Sequence, residues 1–281
     1  MLKGISLIIF LTVCLVQYSH TQDTNGPDTV TIHSGKLKLK GLLWFPAGRG
    51  PFPTIIFCHG SYSGTDTMHD PVENISVLGP IFARKGYVFL GLFRRGVGLS
   101  NGQGVNSIDL MDKAFKKYGL EDRNKVQLQQ LEKDQLQDMM AGLAYLRKRW
   151  DVDRQRMAII GHSFGGSLTL LVAELDPYLK AVVVFGPAAA SWDYSPQLRT
   201  RLISAVENIK APTMFIHAQN DYSTNPGFTL DSVMNHLGKP HILKIYPKFG
   251  NSASEGHNVI FQDTKIWETD VFKFLKDNLR S

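Results

Sequence analysis

Three residues of this chain have the types and the order that acyl transfer through a serine requires. Ser163 is the centre of the pentapeptide G-H-S-F-G, and Asp221 and His257 follow it in that order. A serine hydroxyl is a poor nucleophile until a histidine takes its proton, and a carboxylate must orient that histidine. Serine, acidic residue and histidine in this order form a known catalytic arrangement. The pattern therefore predicts Ser163 as nucleophile, Asp221 as orienting acid and His257 as base.

The pentapeptide lies at the junction between a predicted strand and a predicted helix. Apolar residues occupy 157–160 just before it, and a helix-forming run occupies 167–174 just after it. A strand that turns sharply into a helix presents the residue at its apex towards substrate. Gly161 and Gly165 suit such a turn, because the neighbouring backbones must pass each other without side chains between them. A Gly- and Ser-rich turn without catalytic meaning is the alternative, and the strand-turn-helix context favours the nucleophile.

The candidate acid and base each follow a predicted strand. Asp221 lies in the loop after one strand, and His257 lies in the loop after the next. Functional groups collect beyond the C-terminal ends of the strands in open parallel sheets. His257 could instead be a surface histidine, although a glycine before it and a helix after it favour the catalytic role. Asp193, in the loop after the preceding strand, is the alternative acid.

The oxygen that becomes negatively charged during acyl transfer needs two backbone N–H donors. Phe164, directly after the nucleophile, is one candidate, at the start of a helix whose dipole also favours negative charge. The second donor is Ser61 or Tyr62, in the loop that follows His59 and Gly60 at the end of a strand. Gly60 lets the backbone approach a ligand closely. The sequence leaves the choice between Ser61 and Tyr62 open.

Apolar runs and helical stretches alternate along the chain, and they predict a single α/β domain over residues 22–281. The expected strands lie at 29–32, 37–45, 54–58, 87–93, 157–160, 181–185, 213–217 and 242–246. The expected helices lie at 72–85, 126–150, 166–174, 196–208, 229–237 and 264–279. The strands are almost continuously apolar, which is typical of a parallel sheet with helices on both faces. Residues 101–124 form the least regular stretch, and residues 191–208 have room for only a small cap.

Taken together, the motifs resemble those of the α/β-hydrolase superfamily, most of all its dienelactone hydrolase-like and prolyl-oligopeptidase-related serine hydrolases. The matching residues are H-G at 59–60, R-G-V-G-L-S-N-G at 95–102, G-H-S-F-G-G at 161–166, Asp221 and G-H at 256–257. The resemblance implies an α/β-hydrolase fold, with a mostly parallel eight-stranded sheet flanked by helices and a small cap or none. It also implies that Ser163 is the nucleophile, His257 the base and Asp221 its orienting acid.

Two departures from the family pattern bear on the substrate. Dienelactone hydrolases themselves use cysteine where this chain has Ser163, which argues against a dienelactone substrate. The sequence has no counterpart of the propeller of prolyl oligopeptidases, so their size-selecting gate is not expected.

The N-terminus has the pattern of an export signal. Lys3 is followed by an apolar run at 5–16 and then by a polar stretch, which predicts a signal peptide over residues 1–21 and cleavage before Gln22. The apolar run is shorter than the ~20 residues that span a bilayer, which favours a signal peptide over a membrane anchor. We therefore expect an exported protein, periplasmic or secreted, without a stable membrane anchor.

Composition and motifs argue against several other classes of protein. The formal net charge of +6 is modest for 281 residues and the basic residues are dispersed, so nucleic-acid binding is not expected. The stretch G-V-G-L-S-N at 96–101 departs from a dinucleotide-binding pattern at its last position, and neither a phosphate-binding loop motif nor a zinc-binding motif occurs. We expect no cofactor, no metal and a small-molecule acyl substrate as the partner.

These expectations combine into an exported serine hydrolase that cleaves small carboxylesters or related acyl compounds through an acyl-enzyme on Ser163. A peptidase that releases short peptides is the alternative within the same chemistry. A non-catalytic binding protein on a hydrolase scaffold is a third reading, but such proteins usually lack one member of the catalytic set, and all three residue types are present here.

Overall fold

A computed structural model describes residues 26–62 and 70–280, and this part of the chain contains one eight-stranded sheet. Its strands are β1 (Asp28–Ser34), β2 (Leu37–Trp44), β3 (Phe52–Cys58), β4 (Val88–Leu92), β5 (Val152–His162), β6 (Ala181–Phe185), β7 (Thr213–Ala218) and β8 (His241–Tyr246). The strand order is β1-β2-β4-β3-β5-β6-β7-β8. β2 runs antiparallel to β1 and β4, and all later neighbours are parallel. This mostly parallel sheet confirms the expected fold class.

Helices cover both faces of the sheet. Within the described residues they are α1 (Pro71–Arg84), α2 (Ser107–Tyr118), α3 (Leu120–Glu132), α4 (Asp134–Arg147), α5 (Phe164–Leu175), α6 (Pro196–Asn208), α7 (Asn225–His236), α8 (Ala253–His257), α9 (Val259–Gln262) and α10 (Glu268–Asn278). Residues of α1, α9 and α10 pack into one apolar cluster, and residues of α2 to α7 pack into another.

Alternate residues of the central strands feed these two clusters. In β3, Ile56 and Cys58 belong to the cluster under α2 to α7, whereas Ile55 and Phe57 belong to the cluster under α1, α9 and α10. Successive side chains of a strand point to opposite faces of the sheet. All four are fully buried, and burial of one large apolar side chain contributes ~1.5–3 kcal/mol. Burial on both faces explains the apolar strands and fixes the strand ends that carry the site.

One long helix expected over residues 126–150 is two helices. α3 ends at Glu132 and α4 begins at Asp134, and Lys133 between them has φ of −120° and ψ of −87°, outside the helical region. Glu132 forms an ion pair with Arg201, and Asp134 forms one with Arg95. The backbone of Lys133 therefore separates two helices whose ends pair with different elements, and the expectation of one helix was wrong.

The stretch expected to be least regular, residues 101–124, is largely helical. It contains α2 and the start of α3. The side chain of Asn106 caps α2 by accepting the N–H of Ile108 at 2.9 Å. In α2 only Ser107 and Met111 are buried, so the helix has too few buried apolar positions to be recognised by its pattern.

The segment after β6 forms a short turn and then α6, at the position expected from the sequence. α6 packs against α5 and α7 beside the sheet. In the described part of the chain this segment therefore extends the helical layer and adds at most a small cap.

The signal peptide expected over residues 1–21 lies outside the described residues. Export, cleavage before Gln22 and the domain bounds of 22–281 stay predictions. Within residues 26–62 and 70–280, no helix combines the length and the apolar character needed to cross a bilayer.

Candidate active site

Ser163 occupies a strained turn between β5 and α5. Its backbone has φ of 57° and ψ of −123°, in the positive-φ region that residues other than glycine rarely adopt. Gly161 and Gly165 make the turn possible. A Cβ on Gly161 would overlap Thr169 Oγ1, and a Cβ on Gly165 would overlap the carbonyl oxygen of Cys58. Close approach of neighbouring groups therefore requires both glycines of the pentapeptide.

Asp221 and His257 contact each other directly. His257 Nδ1 lies 2.6 Å from Asp221 Oδ1, and both side chains are buried. The backbone N–H of Tyr222 donates to the same carboxylate oxygen at 2.7 Å. Because an ionised carboxylate only accepts hydrogen bonds, His257 carries a proton on Nδ1, which leaves Nε2 as its basic nitrogen.

Asn220 ties the loop that carries the acid to the loop that carries His257. Asn220 Nδ2 donates to the carbonyl oxygens of Phe249 and Ser252, each at 2.7 Å. Asn220 Oδ1 accepts the N–H of Phe249 at 2.9 Å. A Cβ on Gly256 would lie 2.6 Å from Asn220 Oδ1, so the glycine before His257 allows the two loops to meet.

The short helix α8 presents His257 as its last residue. Ser252 Oγ accepts the N–H of Glu255 at 3.2 Å, and Glu255 Oε2 accepts the N–H of Ser252 at 2.9 Å. This reciprocal pair is a capping box, which satisfies N–H groups that the first turn of a helix leaves free. A helix of five residues has little stability of its own. The cap therefore determines where α8 begins and where His257 lies.

A second histidine holds the other oxygen of the same carboxylate. His217 Nδ1, at the end of β7, lies 2.8 Å from Asp221 Oδ2. Its Nε2 is buried and has no hydrogen-bond partner among the described residues. Burial by itself would raise the pKa of Asp221, but hydrogen bonds from His217 and His257 outweigh it and hold the pKa well below its usual range. Asp221 is therefore an anion at neutral pH, held by two imidazoles.

His162, the residue before the nucleophile, holds the base loop from the other side. Its Nε2 donates to the backbone carbonyl oxygen of His257 at 2.9 Å. The two imidazole rings lie 4.7 Å apart between centroids, and Phe261 packs edge-on against His162. The variable position of the pentapeptide thus fixes the backbone of His257 relative to Ser163.

Gly186, directly after β6, lies against both the acid and the base. Its φ is +54°, and a Cβ there would lie 2.9 Å from Asp221 Oδ2 and 2.9 Å from His257 Nδ1. Any larger residue would force one of these side chains to shift. The hydrogen bond between Asp221 and His257 therefore depends on glycine at this position.

Asp193, the alternative acid, lies elsewhere. It belongs to the turn Trp192–Tyr194 and is exposed. Its Oδ1 accepts a hydrogen bond from Asn225 Nδ2 at 3.2 Å. His257 Nδ1 pairs with Asp221 instead, so the structure brings Asp221 and not Asp193 to the candidate base.

The candidate nucleophile and base open onto one cleft of about 250 Å³. The described residues that line it are Gly60, Ser61, Tyr62, His162, Ser163, Ala190, Tyr222, Ser254, His257 and Asn258. None of these lining residues is an acid, a lysine or an arginine. Among the described residues, no three or more His, Cys, Asp or Glu side chains are grouped so that they could hold a metal ion. The cleft suits a small uncharged group beside Ser163.

The candidate oxyanion donors lie on two sides of Ser163. Phe164 is the first residue of α5, and Ser61 and Tyr62 line the cleft after β3. A Cβ on Gly60 would lie 3.3 Å from Ser163 Cβ, so this loop passes directly beside the nucleophile. Of the six residues selected from the sequence, Ser61, Tyr62, Ser163 and His257 line the cleft. Asp221 is bonded to His257, and Phe164 begins the helix after Ser163.

The contacts of His162 and Gly186 with the candidate acid and base were not expected from the sequence, whereas His217, at the end of a strand, was predicted to lie in the core or beside the site. A signal was present for His217, which ends a strand four residues before Asp221, and for Gly186, which directly follows a strand. No sequence signal pointed to His162, whose hydrogen bond joins residues 95 positions apart.

Comparisons of the sequence and of the fold with known proteins identify the family of this chain. In sequence, the chain is 29% identical over 157 residues to the quorum-quenching protein AidA of Acinetobacter baumannii. It is 26% identical over 188 residues to the esterase FrsA of an Enterobacter species. These matches cover 56% and 66% of this chain but 42% and 38% of those proteins. The chain therefore spans less than half the length of these curated relatives.

In structure, the chain is similar to the acylaminoacyl peptidase of Pyrococcus horikoshii, with a TM-score of 0.63 and 19% sequence identity. The superposition covers 93% of this chain and 43% of that one, and at this identity it shows a shared fold only. A family model, the dienelactone hydrolase family, matches residues 39–277, from within β2 to within α10. Because this match spans most of the chain, the protein belongs to the dienelactone hydrolase family.

Proposed function

We propose that the protein is a serine hydrolase that cleaves small carboxylesters or related acyl compounds through an acyl-enzyme on Ser163. One observation carries the proposal. The buried pair of Asp221 and His257, joined at 2.6 Å, opens onto the same cleft as a serine at the apex of a strained strand-to-helix turn. Nucleophile, base and orienting acid are the groups that this chemistry requires.

In the acylation step, His257 Nε2 takes the proton of Ser163 as Oγ attacks the carbonyl carbon of the substrate. The carbonyl π electrons move to oxygen, and the oxyanion accepts N–H bonds from Phe164 and from Ser61 or Tyr62. The tetrahedral intermediate then collapses, the bond to the leaving group breaks, and His257 protonates that group. In deacylation, His257 takes a proton from water as its oxygen attacks the acyl carbon. Ser163 regains the proton when the carboxylic acid departs.

Asp221 stabilises the positive charge that His257 acquires in both steps. Its low pKa keeps it ionised throughout, so each oxygen remains an acceptor. His217 and the N–H of Tyr222 prevent the carboxylate from rotating away from His257. An acid held in this way fixes the tautomer and the orientation of the base, which is its role in such a catalytic set.

Two features support a small ester as the substrate. The cleft is small, and none of its described lining residues is an acid, a lysine or an arginine. Only its histidines can become charged, by taking up a proton. One of the similar proteins, FrsA, is named an esterase. The peptidase alternative is supported by the likeness to an acylaminoacyl peptidase. We further infer from the N-terminal pattern that the protein acts after export, in a periplasm or outside the cell.

Replacement of the nucleophile tests the proposal. In the Ser163→Ala variant we expect turnover of a chromogenic short-chain ester to fall on the order of 10⁴-fold or more, because loss of one member disables the whole catalytic set. Ser167→Ala is the matched control, since it makes the same change four residues later, at a buried position inside α5. Wild-type turnover by Ser163→Ala would rule out the proposed mechanism.

Two further assays separate the alternatives. A panel of esters and matching aminoacyl or dipeptidyl amides distinguishes an esterase from a peptidase, and faster turnover of amides would favour the peptidase. Asp221→Asn should lose activity while Asp193→Asn keeps it, and the reverse result would show that the acid is assigned wrongly. A folded wild-type protein that turns over no ester or amide would favour a non-catalytic binding protein.

A further inference from the structure

Arg94 is a buried cation that the proposed mechanism does not use. Only 1% of its surface is exposed, and no carboxylate among the described residues forms an ion pair with it. A buried charge without an ionic partner is costly, so its hydrogen bonds are informative. Its Nη2 donates to the carbonyl oxygen of Gly60 at 2.8 Å. Its Nη1 lies 3.4 Å from Cys58 Sγ, and the guanidinium lies over the Phe164 ring.

His59 adds a second hydrogen bond to the same carbonyl oxygen. The backbone N–H of Arg94 donates to His59 Nε2 at 3.1 Å, so that nitrogen is unprotonated and the proton is on Nδ1. His59 Nδ1 lies 2.6 Å from the Gly60 oxygen and donates to it. Burial and the neighbouring Arg94 hold the pKa of His59 well below its usual range, so the ring stays uncharged. Two N–H donors therefore fix the Gly60 carbonyl.

The orientation of this carbonyl determines the orientation of the next N–H. The peptide bond between Gly60 and Ser61 is trans, and in a planar trans peptide the C=O and the N–H point in opposite directions. The carbonyl points at Arg94 and His59 inside the protein. The Ser61 N–H therefore points away from Arg94 and His59, and Gly60, Ser61 and Ser163 line the same cleft.

We propose that Arg94 is a positioning residue that orients and polarises the Gly60–Ser61 peptide, so that Ser61 rather than Tyr62 supplies the second oxyanion donor. A charge-assisted hydrogen bond to a carbonyl draws electron density through the amide and makes its N–H a stronger donor. Arg94 thus stabilises the oxyanion indirectly, by polarising the one peptide unit that lies between them. This inference rests on the proposed function.

The contacts of Tyr62 serve a different purpose. Its carbonyl oxygen accepts a hydrogen bond from Asn106 Nδ2 at 2.8 Å, and its hydroxyl accepts one from Asn74 Nδ2 at 2.9 Å. Its ring packs on His59 with 5.5 Å between centroids. These contacts hold Tyr62 as a wall of the cleft and hold His59 against the Gly60 carbonyl.

Substitution of Arg94 should impair the transition state more than substrate binding. In Arg94→Met we expect kcat for a short-chain ester to fall about tenfold to 100-fold, less than the ~10²–10³-fold that follows outright loss of an oxyanion donor. Affinity for a trifluoromethyl ketone, which adds to Ser163 and forms an oxyanion, should fall by a similar factor. Affinity for the matching methyl ketone, which forms little adduct, should stay within about twofold, since oxyanion contacts are made mainly in the transition state.

Arg95→Met is the matched control. Arg95 is the next residue, but it pairs with Asp134 and Asp138 away from the cleft. Its loss should lower the unfolding midpoint and leave kcat per active site unchanged. Active sites are counted by complete reaction with a fluorophosphonate, so that a smaller folded fraction does not imitate a lower kcat.

If Arg94→Met does not fold, Arg94→Gln takes its place in the experiment. It keeps an N–H donor and removes the charge, and kcat and the affinity for the trifluoromethyl ketone should again fall. NMR of the wild-type complex with the trifluoromethyl ketone needs neither variant: the Ser61 amide proton should move downfield more than that of Tyr62. Wild-type kcat in a folded Arg94 variant, or a larger shift at Tyr62, would overturn the inference. A wild-type protein that neither turns over esters nor reacts with fluorophosphonate would overturn the proposed function instead.

Discussion

At Asp221, N–H groups from His217, Tyr222 and His257 converge on the two oxygens of one carboxylate. Hydrogen bonds to an ionised acceptor are about twice as strong as those between neutral groups. Gly186 lies against the same carboxylate, and a Cβ at this position would be too close to both Asp221 and His257. The distance between acid and base therefore depends on a residue that takes no part in the chemistry.

Gly186→Ala tests this dependence. We expect kcat/KM to fall roughly 10- to 100-fold, because a misplacement of about 1 Å can cost on that order in rate. Gly238→Ala is the matched control. Gly238 has a similar φ of +61°, against +54° at Gly186, but a Cβ there would meet nothing within 4 Å. Steady-state kinetics on titrated active sites measures the loss of activity, and unfolding midpoints measure the loss of stability.

Both variants should lose stability, by about 1 kcal/mol or somewhat more, since alanine at positive φ is strained. Only Gly186→Ala should lose activity per active site. Equal activity in the two variants would show that Gly186 does not set the geometry of the acid and base.

The candidate residues could be selected from the sequence because their types and their positions after strands both carry information. Position after a strand does not by itself separate Asp221, the predicted acid, from the alternative Asp193, since each follows a strand. The distinction depends on which loop reaches His257, and Asn220 decides this by bonding to Phe249 and Ser252 in the base loop. Such long-range hydrogen bonds leave no pattern in a single sequence.

Among the elements, the junction of β5 with α5 is under the tightest steric constraint. Gly165 faces the carbonyl oxygens of Cys58 and His59 at the end of β3, where backbone cannot move aside as a flexible side chain could. Gly166, the next residue, has more room, because a Cβ there would lie 3.2 Å from the Phe185 oxygen. Replacement of glycine by alanine should therefore cost more stability at Gly165 than at Gly166, although the two residues are adjacent in one helix.

Gly165→Ala should therefore destabilise the fold by about 3 kcal/mol or more, at or above the upper end of the usual ~1–3 kcal/mol for overpacking. Gly166→Ala should change stability by less than about 1 kcal/mol, because a gain in helix propensity offsets mild crowding. Urea unfolding of both variants measures the difference. Similar midpoints would mean that the turn relaxes easily and that the glycine pattern has another cause.

The elements that could be predicted are those with continuous apolar runs, such as β6 and β7, because burial on both faces leaves a direct trace in sequence. β5 begins at Val152, five residues before the apolar run, and the apolar pattern does not show this start because residues 153–156 are polar and partly or fully exposed. The break at Lys133 has no local cause, since lysine is a good helix former. On either side of the break, Glu132 and Asp134 form ion pairs with Arg201 and Arg95 on other elements, and such contacts are not visible in a single sequence.

In the whole molecule, the order of the strands assembles the site. β3, β5, β6, β7 and β8 are consecutive parallel neighbours in the sheet. Their C-terminal ends lead into the loops or turns that carry Ser61, Ser163, Gly186, Asp221 and His257, in that spatial order. The fold thus brings together residues almost 200 positions apart. A fold of this kind hosts many reactions, so the loops and not the sheet decide the substrate.

The most direct test of the central claim is to locate the nucleophile chemically. The wild-type protein is reacted with a fluorophosphonate, digested, and analysed by mass spectrometry while residual ester hydrolysis is followed. We predict one label per chain, on the peptide that contains Ser163, with activity lost in proportion to labelling. Ester hydrolysis that continues after complete labelling of Ser163, or inactivation by a label on a different residue, would contradict the account.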